Sequence, residues 1–171
     1  MATPEVVWPE TQEERDALWP EIERCIGYSF RDASIRDWAM MSRTWVDQVG
    51  GRDLYNDNKT FEWLGDAVIY LHVTRRILEH DISTPTGSGT PQRADLVSNV
   101  SLAQIGLDIG LAPLLLLGPG EMGNNWSSGW VAFMAAAVEA LVGAVWVDAA
   151  NADGDHEPRL ATDVVCRAIL P

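Results

Sequence analysis

Apolar residues recur at helical spacing along most of the chain, and no stretch alternates apolar and polar residues as a half-buried strand would. The longest amphipathic pattern runs from about Asn58 to His80. A second pattern, from about Gly129 to Ala149, is apolar nearly all round and predicts a helix buried on every side. We therefore predict an all-α fold.

Local signals divide the N-terminal part of the chain. Residues 1–9, which include two prolines, are predicted to form a flexible tail, and residues 10–171 a single domain. Thr11 is predicted to cap a helix that reaches about Ile26, with an interruption near Pro20. Gly27 is predicted to end it.

The remaining elements follow from turn residues and apolar spacing. The next helix is predicted to begin at residues 32–34, and Gly50 and Gly51 to break the chain. Helices are also predicted from about Pro91 to Asp108 and at 158–169. By composition, loops are predicted at 83–91, 118–129 and 151–155.

Two carboxylates lie four residues apart in the first long helix. Glu62 and Asp66 therefore share one helix face, where like charges repel each other. In a mostly apolar stretch, each carboxylate is costly to keep ionised. A cation between them would remove that cost, and a solvated edge of an amphipathic helix is the other interpretation.

Glu139 is the only charged residue between Trp130 and Val147. A carboxylate in such a helix is protonated or hydrogen-bonded, pairs with a base, or binds a metal. No Lys or Arg lies between Arg93 and Arg159, so a basic partner must come from elsewhere in the fold. The run lacks the length and basic flanks of a membrane span.

The charge of the chain is strongly acidic, at −13, with 12 basic and 25 acidic residues. Such a charge opposes approach to a nucleic acid, because Lys and Arg normally neutralise its phosphates. Ten of the twelve basic residues lie in the first 93, so an RNA-facing surface would draw on these. With no apolar leader, we expect a soluble intracellular protein, without deciding among cytoplasm, nucleus and organelle.

Five segments together resemble the ribonuclease III family, in family order, over about residues 20–150. They are 27–30 (GYSF), 61–71 (FEWLGDAVIYL), 93–99 (RADLVSN), 116–121 (LLGPGE) and 138–145 (VEALVGAV). The resemblance implies a helical endonuclease domain that works as a homodimer. It also implies cleavage of both strands of double-stranded RNA, with Mg²⁺ or alternatively Mn²⁺ as cofactor.

The resemblance also implies roles for individual residues. Glu62 and Asp66 match the metal-binding pair of the signature helix, and Glu139 matches the metal-ligand Glu of the last signature helix. Trp63 matches the aromatic residue that anchors the dimer, and an ordinary core aromatic is the less favoured interpretation.

The chain departs from the family pattern at four places. Ala136 stands where the family has a catalytic Asp, and Lys59 where it often has Glu. The loop at 83–91 lacks the acid that some members supply there, and Thr86 is the nearest residue. We expect no double-stranded-RNA-binding domain after the helical domain.

Ala136 leaves two hypotheses open. The chain is either a metal-dependent endoribonuclease, disabled or very weak in this form, or a non-catalytic module that binds RNA or protein. Ala136 could be natural drift or a substitution in an active parent. The three retained acids favour the enzyme, whereas the acidic charge, Lys59 and the missing domain favour the module.

Overall fold

The computed structural model describes residues 8–50, 57–118, 121, 128–151 and 157–170. Within these ranges there is no β-strand, and one isolated parallel bridge pairs Met41 with Leu116. A short 3₁₀ turn covers Ala112–Leu114. The α-helices are α1 (Gln12–Asp16), α2 (Trp19–Ile26), α3 (Ala33–Ala39), α4 (Arg43–Gln48), α5 (Lys59–His80), α6 (Thr86–Leu96), α7 (Asn99–Asp108), α8 (Ser128–Ala150) and α9 (Pro158–Ile169). The all-α prediction is confirmed.

Helix α8 is the centre of the fold, and it packs against α3, α5, α7 and α9. Its apolar residues Met134, Leu141 and Val142 are completely buried. The prediction that this run lacks the length of a membrane span is wrong, because residues 129–150 are long and apolar enough to cross a membrane. However, 67% of that stretch is buried inside the domain. The apolar composition of α8 is therefore explained by its place in the core.

Helices α5 and α8 touch backbone to backbone where they cross. A Cβ atom on Gly65 would lie 1.7 Å from the carbonyl oxygen of Glu139, and one on Gly143 would lie 2.1 Å from that of Phe61. No side chain fits in either place, so only glycine allows this approach. The crossing fixes the signature segments of the two helices against each other.

The predictions for the N-terminal helices are confirmed. Thr11 accepts a hydrogen bond from the backbone N–H of Glu14, and the Glu14 carboxylate accepts one from the Thr11 N–H, which is a capping box. The helix is interrupted before Pro20, which lies in the first turn of α2. Gly27 ends α2 with a φ of 70°, in the left-handed region.

The stretch before Gly50 contains two helices rather than one. Helix α3 ends at Ala39, and the backbone N–H of Leu116 donates to the carbonyl of Met40 at 2.8 Å. Ser42 then caps α4 by accepting from the N–H of Trp45 at 3.2 Å. The cap and the pairing with Leu116 satisfy backbone groups that would otherwise have continued the helix.

The prediction of a loop over 83–91 is wrong in its second half, because α6 begins at Thr86. The carbonyl of Pro85 accepts from the N–H groups of Ser88 and Gly89, so a helical turn is complete before Pro91. Gly, Ser, Thr and Pro lower helix propensity, which is why composition indicated a loop. A break then separates α6 from α7, where Ser98 accepts from the N–H of Ser101 at 3.2 Å.

A buried carboxylate fastens the segment before α3 to the end of α8. Asp148 is only 2% exposed. It accepts hydrogen bonds from the Tyr28 hydroxyl at 2.6 Å and from the backbone N–H groups of Arg31 and Asp32 at 3.1 and 3.0 Å. Burial raises the pKa of Tyr28, and the bond to Asp148 raises it further. These donors satisfy a carboxylate that is costly to bury alone.

Several sequence predictions fall outside the described residues in whole or in part. They concern residues 1–7 of the predicted tail, Gly51, most of the loop at 118–129, and residues 152–155 of the predicted turn. Trp8, at the end of the predicted tail, is half-buried against the core.

The crossing predicts that Gly65→Ala lowers the free energy of unfolding by about 2–4 kcal/mol, because the added methyl group overlaps a backbone carbonyl. The gain in helix propensity, up to about 1 kcal/mol, opposes only part of this loss. Urea unfolding followed by circular dichroism measures the change.

Gly87→Ala is the matched control. Gly87 lies in α6, and a Cβ there would meet no atom within 4 Å. We expect this substitution to leave stability unchanged or to raise it by up to about 1 kcal/mol. Equal stabilities of the Gly65→Ala and parent proteins would show that the two helices do not approach so closely.

Candidate metal and catalytic site

The structure brings the three predicted carboxylates to one place. Glu62 and Asp66 lie one turn apart on α5, and Gly65 between them contacts the backbone of Glu139 on α8. Glu62 and Glu139 are half-buried, and Asp66 is exposed. The glycine crossing therefore sets acids from two distant segments beside each other at the edge of the domain.

The charge environment of Glu139 reports this proximity. Burial raises the pKa of the Glu139 carboxyl to about 7, and the negative charges of Asp66 and Glu62 raise it further, in that order. Lys59 acts in the opposite direction but does not cancel them. Glu139 thus carries a proton in part of the molecules at neutral pH when no other cation is present.

Lys59 is a cation within the site itself. Its ammonium nitrogen lies 2.6 Å from a carboxylate oxygen of Glu62, one helical turn along α5. Lys59 was predicted as a departure from the family pattern, and its ion pair with Glu62 was not predicted. The spacing of three residues on a helix is the signal that could have revealed it.

Ala136 lies one turn before Glu139 on α8 and is buried, with 8% of its surface exposed. A methyl group offers no oxygen to a cation and no acceptor to a hydrogen bond. The position that the resemblance assigns to a fourth carboxylate therefore adds apolar surface instead.

The three carboxylates are the kind of ligand that a hard cation prefers, but they are too few to surround it. Their oxygens suit Mg²⁺. The pKa of Glu139 is raised first by burial and then by the charges of Asp66 and Glu62, and Lys59 offsets these only in part. Among the residues that the structure describes, no three His, Cys, Asp or Glu side chains form a ready-made metal-binding group. Mg²⁺ is commonly held by one or two carboxylates, with waters and substrate phosphates completing its shell. An incomplete protein shell is compatible with that ion.

Trp63 faces outward from α5, with 81% of its surface exposed. On the same helix Leu71 and Tyr70 are exposed by 66% and 38%. A core aromatic is excluded for Trp63 within this chain. Large apolar side chains exposed together are typical of an interaction surface.

Several of the basic residues considered for RNA binding are paired with acids. Arg36 pairs with Asp16 at 2.9 Å, and Arg43 with Asp57 at 2.9 Å. Arg75 contacts Asp163, and Arg93 lies over the ring of Tyr70 at 4.6 Å. Arg52 lies outside the described residues. Part of the positive charge considered for RNA binding is thus offset by acids of the same chain.

Glu121, the acid of the 116–121 motif, has a structural part. Its carboxylate accepts from the Ser42 hydroxyl at 2.9 Å and from the Gly118 N–H at 2.8 Å. It connects the segment after the 3₁₀ turn to the start of α4. The motif therefore contributes to the scaffold around the site.

The raised pKa of Glu139 predicts a pH-dependent stability. Because the folded pKa lies above that of the unfolded chain, the folded state binds more protons between about pH 4.5 and 7. Stability is then lost as pH rises through this window. At pH 8 without divalent cations, Glu139→Gln should be more stable by about 1 kcal/mol after allowance for solvent screening, or about 2–4 °C in Tm.

At pH 5 the advantage of Glu139→Gln should vanish, because the parent carboxyl is then mostly protonated. Thermal melts in EDTA at both pH values test this. Glu13→Gln, at an exposed position in the first turn of α1, removes the same charge and should show no such gain. An equal gain from both variants would attribute the effect to net charge.

Comparison with known proteins agrees with this fold. A family model described as ribonuclease-III-like matches residues 37–157. Ribonuclease 3 of Leifsonia xyli subsp. xyli is 35% identical over 142 residues, which are 82% of this chain and 54% of that protein. Ribonuclease 3 of Myxococcus xanthus is 34% identical over 129 residues, which are 74% of this chain and 48% of that protein. The chain spans about half the length of these curated relatives.

A solved structure extends the likeness to the fold. The nuclease domain of ribonuclease III from Campylobacter jejuni superposes with a TM-score of 0.70 and 25% identity, over 87% of this chain and 94% of that chain. The description of that structure refers to flexibility in a region involved in dimer formation. The family model alone covers well over half of the residues, and the chain belongs to the ribonuclease III-like family.

Proposed function

We propose that this chain is a ribonuclease III-type endoribonuclease domain that hydrolyses phosphodiester bonds in double-stranded RNA. The observation that carries the proposal is the convergence of Glu62, Asp66 and Glu139 at the glycine crossing, where they share a negative field. The relatives named ribonuclease 3 supply the reaction class. In this sequence the activity is expected to be very weak, because Ala136 replaces a carboxylate.

Glu62, Asp66 and Glu139 would hold Mg²⁺, with Mn²⁺ as the alternative. When bound, such an ion polarises a phosphodiester, lowers the pKa of an attacking water and stabilises the leaving oxygen. Asp66 presents its oxygens at the surface, where a substrate backbone can approach. Because the pKa of Glu139 is raised to about 7, cation binding would favour its ionised form, and ionisation and binding are coupled.

We propose a homodimer as the working form, with Trp63 as its anchor. Trp63, Tyr70 and Leu71 form an exposed apolar face on α5, the helix that also carries Glu62 and Asp66. A dimer through this face would bring two sites into a fixed relation, one for each strand of a duplex. A-form RNA would be recognised by shape, through phosphates and 2′-hydroxyl groups.

A non-catalytic module that binds RNA or protein is the second candidate, and specific contacts favour it. The ion pair of Lys59 with Glu62 occupies a site carboxylate, and Ala136 contributes no oxygen. The two candidates make opposite predictions for a protein in which the missing acid is restored.

Restoring the carboxylate tests the enzyme. In Mg²⁺, Ala136→Asp should cut a long RNA duplex at least about a hundredfold faster than this chain. Loss of even an outer-shell partner of a metal site typically costs 10–100-fold, and a direct ligand should exceed that. A gel assay with end-labelled duplex measures the rates.

Ala136→Asn is the matched control, because it has the shape of Asp without the charge. It should remain as weak as this chain. If Ala136→Asp, shown to be folded by circular dichroism, leaves the duplex intact, the enzyme proposal fails and the binding module gains support.

The dimer is tested by Trp63→Glu, which places a charge in the apolar face. Because Trp63 is exposed in the monomer, the substitution should shift sedimentation from dimer to monomer with less than about 0.5 kcal/mol change in monomer stability. Ile82→Glu, at another exposed apolar residue (80%), should leave the dimer intact. A Trp63→Glu protein that sediments as a dimer would remove Trp63 from this role.

A further inference from the structure

Lys59 is held close to Glu62 by its surroundings. Its backbone N–H donates to Asp57 at 3.1 Å, at the start of α5. The other oxygen of Asp57 pairs with Arg43 at 2.9 Å, and Arg43 also reaches Asp47 at 3.4 Å. Asp57 is therefore already neutralised, and the ammonium of Lys59 pairs with Glu62.

The ion pair of Lys59 and Glu62 lies at the exposed edge of the acidic site. Glu62 keeps 25% of its side-chain surface exposed and Lys59 60%, so both the ammonium and the shared carboxylate are within reach of solvent ions. The charge of Lys59 also acts on Glu139, across the crossing of α5 and α8. One lysine thus interacts with two of the three carboxylates.

We propose that Lys59 is a tethered counter-ion of this site, which competes with a divalent cation for Glu62 and thereby limits metal affinity. A divalent ion that enters must displace the ammonium from Glu62 or bind beside a like charge, and both lower its affinity. The inference rests on the proposed function only in assuming that Glu62 belongs to the metal site.

The expected effect is modest because the pair is partly exposed. Surface ion pairs change equilibria by roughly two- to fivefold, and repulsion between the ammonium and a divalent ion adds to this. We expect Lys59→Gln to bind a divalent ion about three- to tenfold more tightly than the parent at low ionic strength. The difference should shrink as salt rises, since exposed charges are screened.

Mn²⁺ alone is the probe, measured by electron paramagnetic resonance of the free ion, with the whole chain and no RNA present. Lys59→Gln is compared with the parent and with Lys59→Arg, which keeps the charge and should stay within about twofold of the parent. Arg76→Gln removes the same charge from an exposed position on α5. It lies about 21 Å along the helix axis from Glu62, so its effect should be much smaller than that of Lys59→Gln and should vanish near 0.1 M ionic strength, where the screening length is about 10 Å.

The same comparison is made in the Ala136→Asp background, where the additional carboxylate strengthens binding. Circular dichroism shows that each variant is folded. Tighter Mn²⁺ binding by Lys59→Gln alone supports the proposal. Equal Mn²⁺ affinity of Lys59→Gln and its parent in both backgrounds overturns it, as does an equal gain in Arg76→Gln.

The metal measurement separates this inference from the proposed function. If Ala136→Asp cuts duplex RNA while Lys59→Gln leaves Mn²⁺ affinity unchanged, only the role of Lys59 fails. If Lys59→Gln raises Mn²⁺ affinity while Ala136→Asp leaves the duplex intact, the role of Lys59 stands and the nuclease proposal fails.

Discussion

The contact between the backbones of α5 and α8 is the constraint on which the rest of this domain depends. Gly65 and Gly143 leave no room for a side chain, so the backbones of the two helices are in direct contact. This close approach places Glu139, on the buried helix α8, near Glu62 and Asp66 on α5. The same crossing thus supports the core and the site, since packing energy holds together acids that would repel each other in isolation.

Sequence predicted most of the long elements because their signals are strong. The bounds of α5 and α8 agree with the apolar periodicity, and Thr11 and Gly27 mark a cap and a stop by the usual side-chain chemistry. The first half of α6 was missed, because Gly, Ser and Thr are poor helix formers and no residue of this helix is buried in the structure. The break after α3 was missed for the opposite reason, since its cause is a long-range pairing with Leu116.

The site divides in the same way. The resemblance identified Glu62, Asp66 and Glu139, and in the structure all three lie at the crossing of α5 and α8. Their balance of charge could not be obtained from the sequence, because burial, mutual repulsion and Lys59 act at once on Glu139. The spacing of three residues allows Lys59 to pair with Glu62, but the sequence does not show that this pair lies beside Glu139. A helix-surface ion pair matters here because of what lies beside it.

The hydrogen bonds that Asp148 accepts from Tyr28, Arg31 and Asp32 have a consequence for how the chain folds. They join residues separated by 116 to 120 positions in a chain of 171, so more than two-thirds of the chain lies in the loop between them. Closing such a loop costs entropy before any contact repays it, and the acceptor is carried by a helix that must itself already be docked. We expect these bonds to form after the folding transition state. They then stabilise a bundle whose helices have already packed together.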